Sequence, residues 1–146
     1  MKQQLRELLR GDIKRYDILE EVHIQDESDQ LVRVTGALTR EGKRILLRFR
    51  GESDLPTQCD RCLKDFHYRH IFYYEDLVEE EDIDTFDLDD LVRQEYILSR
   101  PMQLICEENC QGLCPTCGEN LNEGQCHCDE ETMDARFSVL KKLLDE

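Results

Sequence analysis

The chain has 146 residues, 36% of them charged, and a formal net charge of −15 at pH 7. That length makes one domain with a modest core, and the charge excludes a protein that binds nucleic acid with its whole surface, because phosphate would repel it. No apolar run approaches the roughly eighteen residues that span a bilayer, and the opening MKQQLRELLRG lacks the apolar core of a secretory signal.

The first predicted element is a short helix in KQQLRELLR, where Leu5, Leu8 and Leu9 fall on one face and Gly11 ends it. Its small apolar face suits docking on a core rather than on a membrane. The stretch DILEEVHIQDES fits a short helix or a strand equally well. In LVRVTGALTREGKRILLRFRGES the pattern predicts two strands around a turn at Glu41 and Gly42. Val32 and Val34 share a face in the first strand, and Ile45, Leu47 and Phe49 share one in the second. The opposite side of this hairpin carries Arg33, Arg44, Arg48 and Arg50, which makes either a basic patch or an ordinary solvated sheet face, the latter being the commoner outcome.

A third strand is predicted in HYRHIFYYEDL from its aromatic and β-branched content and its period of two. The two histidines face opposite sides, which suits sheet positions better than a shared ligand site. The acidic run VEEEDIDTFDLDD is expected to be a solvated, mobile loop, and it has no glycine for a calcium-binding turn. Asp87 is placed to cap a helix with Leu88, Leu91, Val92 and Glu95 at helical spacing, and Arg100-Pro101 marks an extended exit. A last helix is expected from Thr132 or Asp134, with Phe137, Leu140, Leu143 and Leu144 as its apolar stripe.

The eight cysteines fall into four pairs: Cys59 with Cys62, Cys106 with Cys110, Cys114 with Cys117, and Cys126 with Cys128. Together with the absence of a secretory signal, such usage points to a cytoplasmic chain and to metal rather than disulfides. In a zinc knuckle both sulfurs of a CxxC reach one tetrahedral ion while the intervening turn aims backbone N–H groups at them, and a following glycine permits that turn. CPTCG meets this demand, and CHC is separated from it by one short loop. Cys114, Cys117, Cys126 and Cys128 are therefore grouped as one structural zinc site. Cys59, Cys62, Cys106 and Cys110 make a second complete set, which would clip the strand region to the C-terminal segment. The assignment can be scrambled between the sets, and His127 is a poor substitute ligand because its one-residue spacing turns it away. Iron suits the same geometry. A thioredoxin-like redox role lacks its helix, because CDRC leads into a strand.

CDRCL at 59–63, the run from Pro101 to Cys128 and the ending DARFSVLKKLL resemble the YceD family, whose members support accumulation of the large-subunit ribosomal RNA. The resemblance rests on Cys59, Arg61, Cys62, Leu63, Pro101, Cys106, Cys110, Gly112, Leu113, Cys114, Pro115, Cys117, Gly118, Asn120, Leu121, Asn122, Cys126 and Cys128. It implies a bacterial cytoplasmic factor for 23S ribosomal RNA, acting in processing or assembly of the large subunit, and it brings no catalytic residues with it.

The fold expected is a small α+β protein, an antiparallel sheet flanked by helices with a cysteine-rich, zinc-stapled C-terminal lobe. It forms a single domain over 1–146, with 1–86 mainly strands and the acidic loop, and 87–146 a helix, the knuckle segment and a terminal helix. Two zinc ions are expected, and no enzyme activity. The partners expected are a large-subunit ribosomal RNA precursor, met through Arg33, Arg44, Arg48, Arg50, Arg61 and Arg69, or a basic ribosomal protein met by the acidic loop. No membrane partner is expected. A zinc-releasing thiol sensor and an enzyme of ribosomal RNA maturation are the rival readings.

Overall fold

A computed structural model describes residues 1–25, 29–126 and 128. Helix α1 (Lys2–Arg10) is followed by strands β1 (Arg15–Gln25), β2 (Asp29–Glu41), β3 (Arg44–Gln58) and β4 (Asp65–Val78), a 3-10 turn at Glu80–Asp82, and helix α2 (Leu88–Ser99). The strands form one antiparallel sheet in the order β1-β2-β3-β4. Among the described residues the fold is thus a small four-stranded antiparallel sheet with two helices. No helix among the described residues is long and apolar enough to cross a membrane.

Alternation builds the core. Ile18, Val22, Ile24, Val32, Val34, Leu38, Ile45, Leu47, Phe49 and Phe72 point to one face, where Leu5 and Leu8 of α1 and Leu88, Val92 and Tyr96 of α2 meet them. Each such side chain contributes about 1.5–3 kcal/mol when fully buried. Helix α2 touches both edge strands, β1 and β4, so the twisted sheet curls around it. Two glycines allow close packing: a Cβ on Gly51 would meet the Phe72 ring at 2.2 Å, and one on Gly36 would meet the Arg48 carbonyl at 2.2 Å.

Helix α1 ends in a Schellman motif, with Gly11 left-handed at φ 86 and Asp12 N–H donating to the Glu7 carbonyl at 3.0 Å. Asp87 caps α2 by accepting from the N–H groups of Asp89 and Asp90 at 3.0 and 3.3 Å. Arg100 leaves the helix in an extended conformation before Pro101.

Several expectations change. DILEEVHIQ is strand β1, because pairing with β2 from Arg15↔Thr39 to Gln25↔Asp29 settles a pattern that local periodicity leaves open. The β2–β3 turn is at Gly42-Lys43, one residue later than the sequence suggests, since Glu41 pairs with Arg44 and Gly42 supplies the positive φ of 68. Strand β3 continues to Gln58, and its end pairs only with β4, so Pro56 costs no bond to β2. The acidic run keeps most of its carboxylates exposed, as expected of a solvated loop, but it is anchored: Ile83 is buried, Asp84 pairs with Arg6 at 2.5 Å, and Lys2 Nζ donates to the Asp84 carbonyl at 2.6 Å. Cations of α1 thereby offset part of the run's self-repulsion. The expected terminal helix at 132–144 and His127 lie outside the described residues.

Candidate metal centres

The β3–β4 ribbon ends in a knuckle. Cys59 N–H donates to the Lys64 carbonyl at 2.9 Å, Leu63 N–H donates to the Cys59 carbonyl at 2.9 Å, and Leu63 adopts φ 58. CPTCG repeats this turn. Cys114 N–H donates to the Glu119 carbonyl at 2.8 Å, Gly118 N–H donates to the Cys114 carbonyl at 2.9 Å, and Gly118 has φ 78. The two knuckles therefore have one backbone design, with leucine in the first where the second has glycine.

Each knuckle gathers a second pair of cysteines. The sulfurs of Cys59, Cys62, Cys106 and Cys110 all lie within 4.8 Å of one another, as do those of Cys114, Cys117, Cys126 and Cys128. Cys59 Sγ is 3.9 Å from Cys110 Sγ, Cys62 Sγ is 3.6 Å from Cys106 Sγ, and Cys114 Sγ is 4.0 Å from Cys128 Sγ. A tetrahedron of sulfurs with bonds of about 2.3 Å to a central ion has edges of about 3.8 Å, whereas a disulfide needs a sulfur separation of about 2.0 Å. Both sets fit a four-sulfur metal site, and all eight cysteines are free thiols.

The electrostatics fit the same donor set. Burial works against ionisation of Cys59, yet the N–H groups of Cys106, Cys62 and Arg61 bring its pKa down to about 6. The N–H groups of Cys117 and Thr116 likewise bring Cys114 down to about 6. Burial and the neighbouring sulfurs push Cys106 up to about 12, and the Cys117 sulfur and burial push Cys128 up to about 12. The thiolate is thus favoured at Cys59 and Cys114, while ionisation of Cys106 and Cys128 would be helped by a cation among the sulfurs.

The first centre is the more enclosed. Cys59, Cys62 and Cys110 are buried and Cys106 half-buried, packed with Phe66, Ile105 and Leu113. In the second, Cys114 is buried, Cys117 exposed, and Cys126 and Cys128 half-buried. The segment after Pro101 is fastened to the first knuckle by reciprocal bonds: Asp60 N–H donates to the Leu104 carbonyl at 2.8 Å and Leu104 N–H donates to Asp60 Oδ2 at 2.6 Å.

Arg61 belongs to this fastening. Its Nη1 donates to the Cys110 carbonyl at 3.2 Å, its own carbonyl accepts Leu113 N–H at 3.1 Å, and Gly112 (φ 77) packs over it. The sheet arginines are elsewhere and are paired: Arg33 with Glu21 at 3.7 Å, Arg44 with Glu79 at 3.6 Å, Arg48 with Glu75 at 2.7 Å and Arg50 with Glu52 at 2.8 Å. Arg69 also pairs with Glu52 and holds that carboxyl below the ordinary range. The six arginines thus do not converge on one site, and five of them sit in ion pairs; those of Arg33, Arg48 and Arg69 cross between strands and are not revealed by a single strand's alternation, whereas Arg50 and Glu52 are neighbours on one face of β3.

Sequence reasoning placed Asn122 in the family pattern but gave it no role. Its Oδ1 accepts Gln111 N–H at 2.8 Å, and its Nδ2 reaches Asn120 Oδ1 at 2.8 Å and the Cys110 sulfur at 3.4 Å. The signal available was Asn-Leu-Asn, two turn-forming amides in a loop between ligand pairs.

The family profile described as Large ribosomal RNA subunit accumulation protein YceD matches residues 73–144. YlbN of Bacillus subtilis (strain 168) is 29% identical over 129 residues, covering 79% of this chain and 75% of its own. The Large ribosomal RNA subunit accumulation protein YCED homolog 1, chloroplastic, of Arabidopsis thaliana is 29% identical over 65 residues, covering 44% of this chain and 20% of its own. No solved structure matches.

Proposed function

The chain belongs to the YceD family, and from that membership we propose that it is a non-enzymatic factor supporting accumulation of 23S ribosomal RNA, in processing or assembly of the large subunit. The observation that carries this reading is the family match, with its stated link to large-subunit ribosomal RNA. Its site of action is the cytoplasm, where the thiols stay reduced.

Zinc is the metal proposed for both centres. Four protein sulfurs complete a tetrahedron and leave no open position for substrate or water, so the ions act as scaffold. At the first centre an ion joins the tip of the β3–β4 ribbon to a segment 44–51 residues further along the chain. At the second it closes a loop with few apolar residues of its own. Zinc there supplies folding free energy that a small core cannot. The partner is precursor ribosomal RNA, or a basic ribosomal protein drawn to the carboxylates of residues 79–90.

The test is sedimentation of the tagged native protein through a sucrose gradient of host lysate at low and high salt, with RNA, proteins and metal identified in each fraction. Comigration with immature large-subunit particles supports the reading. Migration only as free protein, with no ribosomal component attached, overturns it.

A further inference from the structure

We propose that the surface contacting RNA is the basic cluster Arg10, Lys14, Arg40 and Lys43, where the end of α1 meets the β2–β3 turn, and that its ligand is the phosphodiester backbone. This rests on the reading above that the protein acts on ribosomal RNA.

The argument begins with charge that is already spent. Arg33, Arg44, Arg48, Arg50 and Arg69 each lie beside a glutamate. A phosphate approaching that face meets ion pairs and has to break them before it gains an arginine. In a chain of net charge −15 such a face has little long-range attraction for RNA.

Arg10, Lys14, Arg40 and Lys43 differ. All four are exposed, and among the described residues none has a carboxylate at ion-pairing distance. The fold brings them together from two segments about thirty residues apart in sequence. Arg40 N–H donates to the Lys14 carbonyl at 3.3 Å, and Arg40 Nε donates to the Gly42 carbonyl at 2.9 Å, beside Lys43. The Arg40 guanidinium lies over Gly11, where a Cβ would be 2.5 Å from Nη1. Arg10 is the residue before that glycine. Arg40 is therefore held in place through Nε while its Nη groups stay available to oxygen acceptors.

The local acids do not cancel the cluster. Glu7 is bonded to Gln3 at 2.9 Å. Asp12 and Glu41 lie in the same two segments without pairing to the four cations, and Glu80 lies across a shallow hollow from Arg10 and marks one edge of the cluster. The last turn of α1 also favours cations through its dipole, which accounts for Arg10 but not for Lys14, Arg40 or Lys43.

The experiment measures binding of the full-length, metal-loaded protein to oligouridylate across a salt series. Arg10→Gln, Lys14→Gln and Lys43→Gln are combined in one variant, and Arg48→Gln with Arg50→Gln in another. Arg40 is left intact because it braces the fold. The cluster variant is expected to bind about tenfold more weakly, with the salt slope reduced by about two from three lost phosphate contacts on a single strand, while the sheet variant stays within about twofold. Circular dichroism checks that both fold, and Lys43→Gln alone should give a proportionate loss if the triple variant does not. Equal binding by wild type and cluster variant overturns the proposal, as does a loss confined to the sheet variant. If wild type binds no RNA yet comigrates with large-subunit particles, the cluster is wrong and the ribosomal reading stands with a protein partner. If it does neither, both fail.

Discussion

Asn122 donates through Nδ2 to the sulfur of Cys110 across 3.4 Å, so a residue in the loop of the second centre completes the surroundings of a ligand in the first. Its Oδ1 is already committed to Gln111 N–H, which orients the amide. The two centres are thus joined by a side chain as well as by the short link from Cys110 to Cys114.

Asn122→Asp keeps the acceptor for Gln111 and loses the donor to Cys110. Outer hydrogen bonds of this kind are worth about 10–100-fold in metal affinity. The first centre, once loaded with metal, is expected to lose it to a chelator about tenfold faster, with the second centre unchanged. Cobalt-substituted protein should show the sulfur charge-transfer band of one centre shifted. Equal acceleration at both centres would mean a general loss of fold instead.

Leu63 and Gly118 hold equivalent positions in the two knuckles, both with positive φ. Leu63→Gly is expected to raise stability in urea by up to about 1 kcal/mol, as the strain of a left-handed leucine is relieved. Gly118→Ala should lower it by about 1 kcal/mol, and for backbone reasons alone, because no atom lies within 4 Å of its Cβ position. Leu63 is 55% exposed, so marked destabilisation by Leu63→Gly would assign the side chain a packing role that its exposure does not suggest.

Exposure predicts the order of metal loss. Cys117 is open to solvent, whereas the first centre has three buried ligands. Under graded chelator, the ion of the second centre should leave first. Cys117→Ser and Cys62→Ser should each cost one ion by mass spectrometry. Only Cys62→Ser should speed hydrogen exchange in the ribbon from Leu55 to His70, because only the first centre ties that ribbon to the distant segment. Identical exchange in both variants would contradict this division.

His70 is buried, with Ser99 Oγ 3.1 Å from Nε2 and no partner for Nδ1 among the described residues. Burial, with Arg100 nearby, holds its pKa below the ordinary 6.5 despite the Ser99 contact. As pH falls below 6.5 the unfolded chain takes the proton before the folded one does. Stability therefore drains through that window and the loss is complete below the folded pKa. His70→Phe keeps a ring against Phe72 and Tyr96 and cannot titrate. Unfolding midpoints in urea at pH 7 and pH 5.5 should fall further in wild type than in the variant, and parallel falls would discount His70.

The sequence by itself determined the features governed by neighbours a few residues away. Gly11 ends α1, Asp87 caps α2, Arg100 turns out before Pro101, and the alternation of Val32 to Val34 and Ile45 to Phe49 names the inner face. CPTCG specifies its own knuckle because all its hydrogen bonds close within six residues. Tertiary structure alone decided matters of register and distant contact. Arg15–Gln25 became a strand because β2 paired with it, and the acidic run folded down because Ile83 found the core and Asp84 found Arg6. Arg33, Arg48 and Arg69 lost their free charge because antiparallel pairing set Arg33 opposite Glu21 and Arg48 opposite Glu75 and brought Glu52 within reach of Arg69. A local pattern records which face a side chain takes, but not which residue of another strand stands beside it, and that neighbour decides whether a cation stays available to a partner.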